Sequence, residues 1–138
     1  MFRVVIDPGV FVSALLSPAG APAELIREWL SGSFDLIVSR HLLDELHSVL
    51  LRPKMRSYVT EEEARQFVAM IQTLTVPKPD PADPPSVCRD PKDDYLFALA
   101  RENGVELLVS GDADVLDVTT ARMTTIGPRE FLKRIQEN

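Results

Sequence analysis

The stretch Arg3-Val4-Val5-Ile6-Asp7 constrains this chain more than any other. Its apolar residues follow one another without alternation and end in a carboxylate. That is the pattern of a short strand covered on both faces, which belongs in the interior of a parallel sheet. In open α/β sheets ligands bind outside the carboxyl ends of the strands, so an acid at a strand exit faces the candidate site. A lone Asp at such a place can equally cap a helix or close a turn. Whether other acids reach the same edge decides between the two. Pro8 then fits the first turn of a helix, where its missing N–H is not needed, so the strand runs straight into a helix.

The rest of the chain repeats this alternation. Ser17-Pro18-Ala19-Gly20 interrupts the first helix. A second opens at Pro22, carries Leu25, Ile26, Trp29 and Leu30 on one face and ends near Gly32, with Trp29 in the core. Phe34 to Val38 reads as a strand, and Ser39 caps a helix whose stripe is Leu42, Leu46, Val49 and Leu50 and which Pro53 stops. Glu45 lies in the second turn of that helix. Thr60-Glu61-Glu62-Glu63 has the form of a capping box, and Ala64, Phe67, Val68, Ile71 and Leu74 follow at helical spacing. The helix dipole accounts for the three glutamates without a ligand. From Val76 to Pro85 the prolines come so densely that only an extended surface connector fits. Arg89-Asp90-Pro91-Lys92-Asp93-Asp94 leads into a helix closed by Gly104, which crowds Asp90, Asp93 and Asp94 at its N-terminus. Val105 to Ser110 is a strand followed by Gly111-Asp112-Ala113-Asp114. A strand from Met123 to Ile126 and a helix begun by Pro128, with Phe131, Leu132 and Ile135 inward, complete the chain. Such alternation predicts a three-layer α/β sandwich, and 138 residues suit a single domain over 1–138.

Composition narrows the chemistry. One cysteine, Cys88, excludes an internal disulfide and cannot make a zinc site alone, and a buried apolar role suits it better than that of a nucleophile. His41 and His47 stand six residues apart, do not share a helical face and read as surface or capping residues. No apolar run spans a bilayer and no signal peptide opens the chain, so a cytoplasmic protein is expected. The net charge of −6 argues against a simple polyanion binder, yet carboxylates gathered for divalent cations give the same total. The basic residues Arg40, Arg52, Lys54 and Arg56 form either a guide for a polyanion or a solvated face.

Four segments deliver acids to what should be one edge of the sheet: Asp7, Glu45, Asp93, and Asp112 with Asp114. Right-handed crossovers bring all strand exits of a parallel sheet to the same end. Carboxylates so gathered repel unless cations compensate them, and Mg²⁺ or Mn²⁺ prefers such oxygen donors. Metal-assisted phosphodiester hydrolysis follows, since no set of nucleophile, base and orienting group suggests acyl transfer.

These stretches also resemble the PIN domain nucleases, in the branch described as toxins of prokaryotic toxin–antitoxin pairs. The resemblance covers nearly the whole chain and rests on Val4-Val5-Ile6-Asp7; Ser39 to Val49 with Glu45; Arg89 to Asp94; Leu108-Val109-Ser110-Gly111-Asp112-Ala113-Asp114; and Gly127 to Leu132. It implies a mainly parallel five-stranded sheet between helices and Mg²⁺- or Mn²⁺-dependent cleavage of RNA, with an antitoxin protein as partner and self-association as a dimer. Asp7, Glu45, Asp93 and Asp112 would be the catalytic acids and metal ligands, Asp114 a further ligand, and Ser110 a hydroxyl beside them. Asp90 and Asp94 compete with Asp93 for the same helix end and are either further site residues or caps.

The chain departs from the family in one place. Where a hydroxyl residue and then Asn commonly follow the first Asp, it has Pro8 and Gly9, which bring no polar side chain to orient Asp7. That departure motivates the alternative of a catalytically weak or inactive interaction module. An aspartyl-phosphate receiver fits less well, because the acids include Glu45 within a helix and no suitably placed lysine follows the last strand. A dehalogenase-like phosphatase would need an acid where Gly9 stands.

Overall fold

The computed structural model describes residues 1–82, 91–118 and 123–137; Cys88, Asp90, Pro84 and Pro85 lie outside them. Strand β1 is Phe2–Ile6, β2 Phe34–Leu36, β3 Leu107–Val109 and β4 Thr124–Ile126. All pairings are parallel, in the order β2-β1-β3-β4. Burial follows that order. Val4, Val5 and Ile6 of β1 and Leu107, Leu108 and Val109 of β3 are buried without a break, whereas the outer β2 buries Phe34 and Leu36 but exposes Asp35. Each fully buried aliphatic side chain contributes about 1.5–3 kcal/mol, so shifting a central strand by a residue is costly.

The helices are α1 (Pro8–Leu16), α2 (Ala21–Leu30), α3 (Arg40–Leu50), α4 (Glu61–Leu74), α5 (Asp94–Glu102), α6 (Ala113–Leu116) and α7 (Pro128–Glu137). Trp29 is buried as expected. Helix α5 packs on β1 and β3, α2 on β2 and α7 on α2. Phe131 of α7 meets Phe2 and Phe34 edge to face, with ring centroids 5.5 and 5.1 Å apart, which ties the end of the chain to its first two strands. No single helix among the described residues is long and apolar enough to cross a membrane.

Four strands form among the described residues, not five. The prolines on either side of Lys78 supply the physical reason. Lys78 donates its amide to the Val38 carbonyl at 2.8 Å and makes one parallel bridge with Ser39, but Pro77 and Pro79 on either side have no N–H to extend the ladder. The strand expected over Phe34 to Val38 ends formally at Leu36, although the Ile37 amide still donates to Val4 at 2.9 Å.

Candidate active site

Strand order reverses between β1 and β3, which pair directly although the whole of β2 and its helices separates them in sequence. Such a switch point is where open parallel sheets take their ligands. Register does the positioning. Ile6 stands opposite Val109, and the Asp7 amide donates to the Val109 carbonyl at 2.9 Å, so Asp7 and Ser110 leave the sheet side by side. The buried Ser110 hydroxyl donates to Asp7 Oδ2 at 2.7 Å and accepts from the Asp112 amide at 3.0 Å, linking both acidic exits through one oxygen.

Asp7 also caps α1, with its Oδ1 accepting from the Gly9 amide at 3.0 Å. Both of its oxygens are therefore oriented, one by Ser110 and one by backbone. The support that Pro8 and Gly9 fail to offer from side chains comes from the Gly9 main chain, a donor that residue type does not reveal. Asp112 caps α6 in the same way, its Oδ1 accepting from the Asp114 amide at 2.8 Å.

Asp93 stands at the start of α5, after the tight turn Pro91–Asp93, and its carboxylate makes no capping bond to that helix. It shares with Asp7 and Asp112 the wall of a cavity of about 390 Å³, completed by Gly9, Ser13 and Pro128 among others. Asp94, in contrast, is buried at 4% exposure. Asp114 is half-buried and does not line this cavity.

Glu45 does not line this cavity and is tied instead to Tyr95 of α5. The Tyr95 hydroxyl donates to Glu45 Oε2 across fifty residues of sequence. Burial, first, then the bond to Glu45 and the negative charges of Glu45, Asp7 and Asp93 push the Tyr95 phenol well above the ordinary tyrosine range, so it stays a neutral donor. Tyr95 therefore lies in the combined field of three of the acids. Reading by residue type misses it, because a Tyr among helix formers looks like core. The one available signal is that a buried phenol requires a polar partner. His41 is missed too: its exposed ring stacks on Tyr95 at 4.0 Å with an interplanar angle of 15°.

The basic residues are partly consumed locally. Arg56 donates to the Leu50 carbonyl and stands 3.9 Å from Glu61, and Arg40 pairs with Asp44 at 3.3 Å, while Arg52 and Lys54 are exposed.

The donor set suits a hard divalent cation. Asp7, Asp93 and Asp112 offer only carboxylate oxygens to their common cavity. Among the described residues no three acids are drawn in tightly around one point. Mg²⁺ does not require that, since it typically takes one or two carboxylates and keeps several waters.

A parallel α/β sheet with carboxylates at its switch point thus defines the class of protein. The chain belongs to the PIN domain family, whose model matches residues 3–114; PIN domains are generally nucleases. The uncharacterized protein MJ1680 of Methanocaldococcus jannaschii is 26% identical over 145 residues, spanning 98% of this chain and 92% of that protein. Among solved structures, PAE2754 from Pyrobaculum aerophilum superposes with a TM-score of 0.67 at 16% identity, covering 99% of this chain and 91% of that one. VapBC2 from Rickettsia felis, bound to a DNA fragment from its promoter, superposes with a TM-score of 0.63 at 10% identity, covering 91% of this chain and 98% of that one. At these identities the structural likeness concerns the fold.

Proposed function

We propose that the whole chain, residues 1–138, works as one metal-dependent endoribonuclease domain that hydrolyses RNA phosphodiester bonds. The observation that carries this reading is the common cavity of Asp7, Asp93 and Asp112; Glu45 lies outside its wall and is bonded to Tyr95, whose phenol feels the charges of Asp7 and Asp93. Asp7, Glu45, Asp93 and Asp112 are assigned as the acids that hold Mg²⁺ or Mn²⁺, with Asp114 as a further ligand. Bound there, a divalent ion supplies a nucleophilic water at neutral pH and neutralises charge on the phosphoryl oxygens.

The chain's own residues supply orientation. Ser110 and the Gly9 amide fix the two oxygens of Asp7, and the Asp114 amide fixes one oxygen of Asp112. The neutral Tyr95 phenol holds Glu45. Groups oriented in advance do not have to reorganise as charge develops in the transition state. The bond from Gly9 also narrows the ground for an inactive interaction module, since Asp7 is held without a polar side chain at positions 8 or 9.

The resemblance to toxin-type PIN domains and the fold shared with VapBC2 support a toxin role in the cytoplasm, an antitoxin partner and a dimer. Purified Asp7→Asn and Asp93→Asn variants are expected to lose Mn²⁺-dependent cleavage of single-stranded RNA while keeping the wild-type circular dichroism spectrum. Undiminished cleavage by both would sink the assignment.

A further inference from the structure

A second cavity, of about 470 Å³, shares Glu45 with the site and is otherwise lined by Arg40, His41, Asp44 and Asp80. One of its surfaces is flat and conjugated. The exposed His41 imidazole lies nearly parallel to the buried Tyr95 ring, and Tyr95 in turn holds Glu45. The stack is anchored from a third segment, because Asp80 Oδ2 accepts from the His41 amide at 3.0 Å. The charge of this cavity is unsuited to a phosphate: three carboxylates face one guanidinium, and Arg40 is already paired with Asp44 at 3.3 Å. A neutral planar group avoids that repulsion and gains an aromatic face.

We propose that this cavity is a nucleobase subsite, in which a base of the RNA strand stacks on His41 while its edge meets the carboxylates of Asp80 and Asp44. Ionised carboxylates only accept hydrogen bonds. An exocyclic amino group brings two N–H bonds and can donate to both, whereas the single N3–H of uracil sits between two carbonyl oxygens that the carboxylates repel. The subsite therefore selects bases with an exocyclic amino group over uracil. The proposal rests on the endoribonuclease reading and gives it a substrate preference. It makes His41 a specificity residue, one step removed from the acids and connected to them through Tyr95 and Glu45.

The test measures Mn²⁺-dependent cleavage of single-stranded oligo(A), oligo(C) and oligo(U) by the full chain. The wild type is expected to show a lower KM for oligo(A) and oligo(C) than for oligo(U). His41→Ala should raise the KM for both favoured substrates roughly tenfold, the scale of one lost base stack, with a much smaller change in kcat. His41→Phe, which keeps the flat face, should restore the wild-type KM, and Asp80→Asn should erase the preference against oligo(U). An unchanged KM in His41→Ala, or a His41→Phe as impaired as His41→Ala, would overturn the subsite and leave the nuclease assignment standing. A wild-type chain that cleaves none of the three RNAs would remove both.

Discussion

Two helices in this protein begin with acids, and they use them in opposite ways. At the start of α4, Thr60 and Glu63 form a complete capping box: the Thr60 hydroxyl accepts from the Glu63 amide and the Glu63 carboxylate accepts from the Thr60 amide, both at 3.0 Å. Glu62 is held by Arg65 and by Gln66 one turn on. These acids are exposed and answer to their own helix. At the start of α5, Asp93 makes no capping bond and faces a cavity shared with Asp7 and Asp112, which come from β1 and β3. Composition scarcely separates Glu-Glu-Glu from Asp-Asp. What separates them is that Glu63 closes a capping box on its own helix, whereas Asp93 makes no such bond to α5 and lines a cavity with acids from two other segments.

That contrast can be broken at graded cost. The largest effect is expected between Asp93→Asn and Glu62→Gln. Removing an acid assigned to the ion should cost more than the roughly hundredfold typical of outer partners, whereas Glu62→Gln should leave cleavage unaffected and shift stability by less than about 1 kcal/mol. Single-turnover cleavage and urea denaturation of both variants measure this directly, and equal activity losses would erase the distinction.

Next comes Tyr95→Phe, which removes the donor to Glu45 and keeps the ring under His41. A loss of about tenfold to a hundredfold in kcat/KM is expected, with weaker Mn²⁺ binding by titration calorimetry. The stability change should stay near 1 kcal/mol, because the half-buried Glu45 retains access to water. A Tyr95→Phe variant that binds Mn²⁺ as well as the wild type would make Tyr95 a core residue and nothing more.

The α4 box should behave conversely. Thr60→Ala is expected to lower the unfolding free energy by about 1 kcal/mol and to leave cleavage rates alone. The smallest effect concerns pH. The bonds to the Thr60 amide and hydroxyl hold the Glu63 carboxyl below its ordinary 4.5. A depressed folded value means that the stabilisation is present above pH 4.5 and is lost as pH falls through the folded value. Glu63→Gln can still close the box but cannot titrate. Its thermal midpoint should therefore lie below the wild type's at neutral pH and approach it at pH 3, and a constant gap across that range would refute the mechanism.

Much of this was legible in the residues. Uninterrupted apolar runs marked β1 and β3 as central, and Thr60-x-x-Glu63 announced its helix start. The meeting of the β1 and β3 exits followed from placing both strands inside a parallel sheet. Three things lay beyond that reading. The Tyr95–Glu45 bond and the His41–Tyr95 stack join residues about fifty positions apart, and periodicity reports only on the nearest turns. The Gly9 amide that steadies Asp7 is a main-chain donor, identical in nearly every residue type. The fifth strand implied by the family resemblance does not form among the described residues, where Pro77 and Pro79 flank Lys78 and cannot extend a ladder.

The same two prolines have a further consequence. β2 lies at one margin of the sheet, and beyond its last residue the chain closes over the Val38 carbonyl through the single Lys78 amide. A strand margin left open invites pairing with any extended segment, another copy included. Pro77 and Pro79 flank that amide with positions that cannot donate, so the covering segment satisfies the carbonyl it meets and offers little ladder to a newcomer. Aggregation by sheet extension is thereby discouraged at this margin, at the expense of one strand.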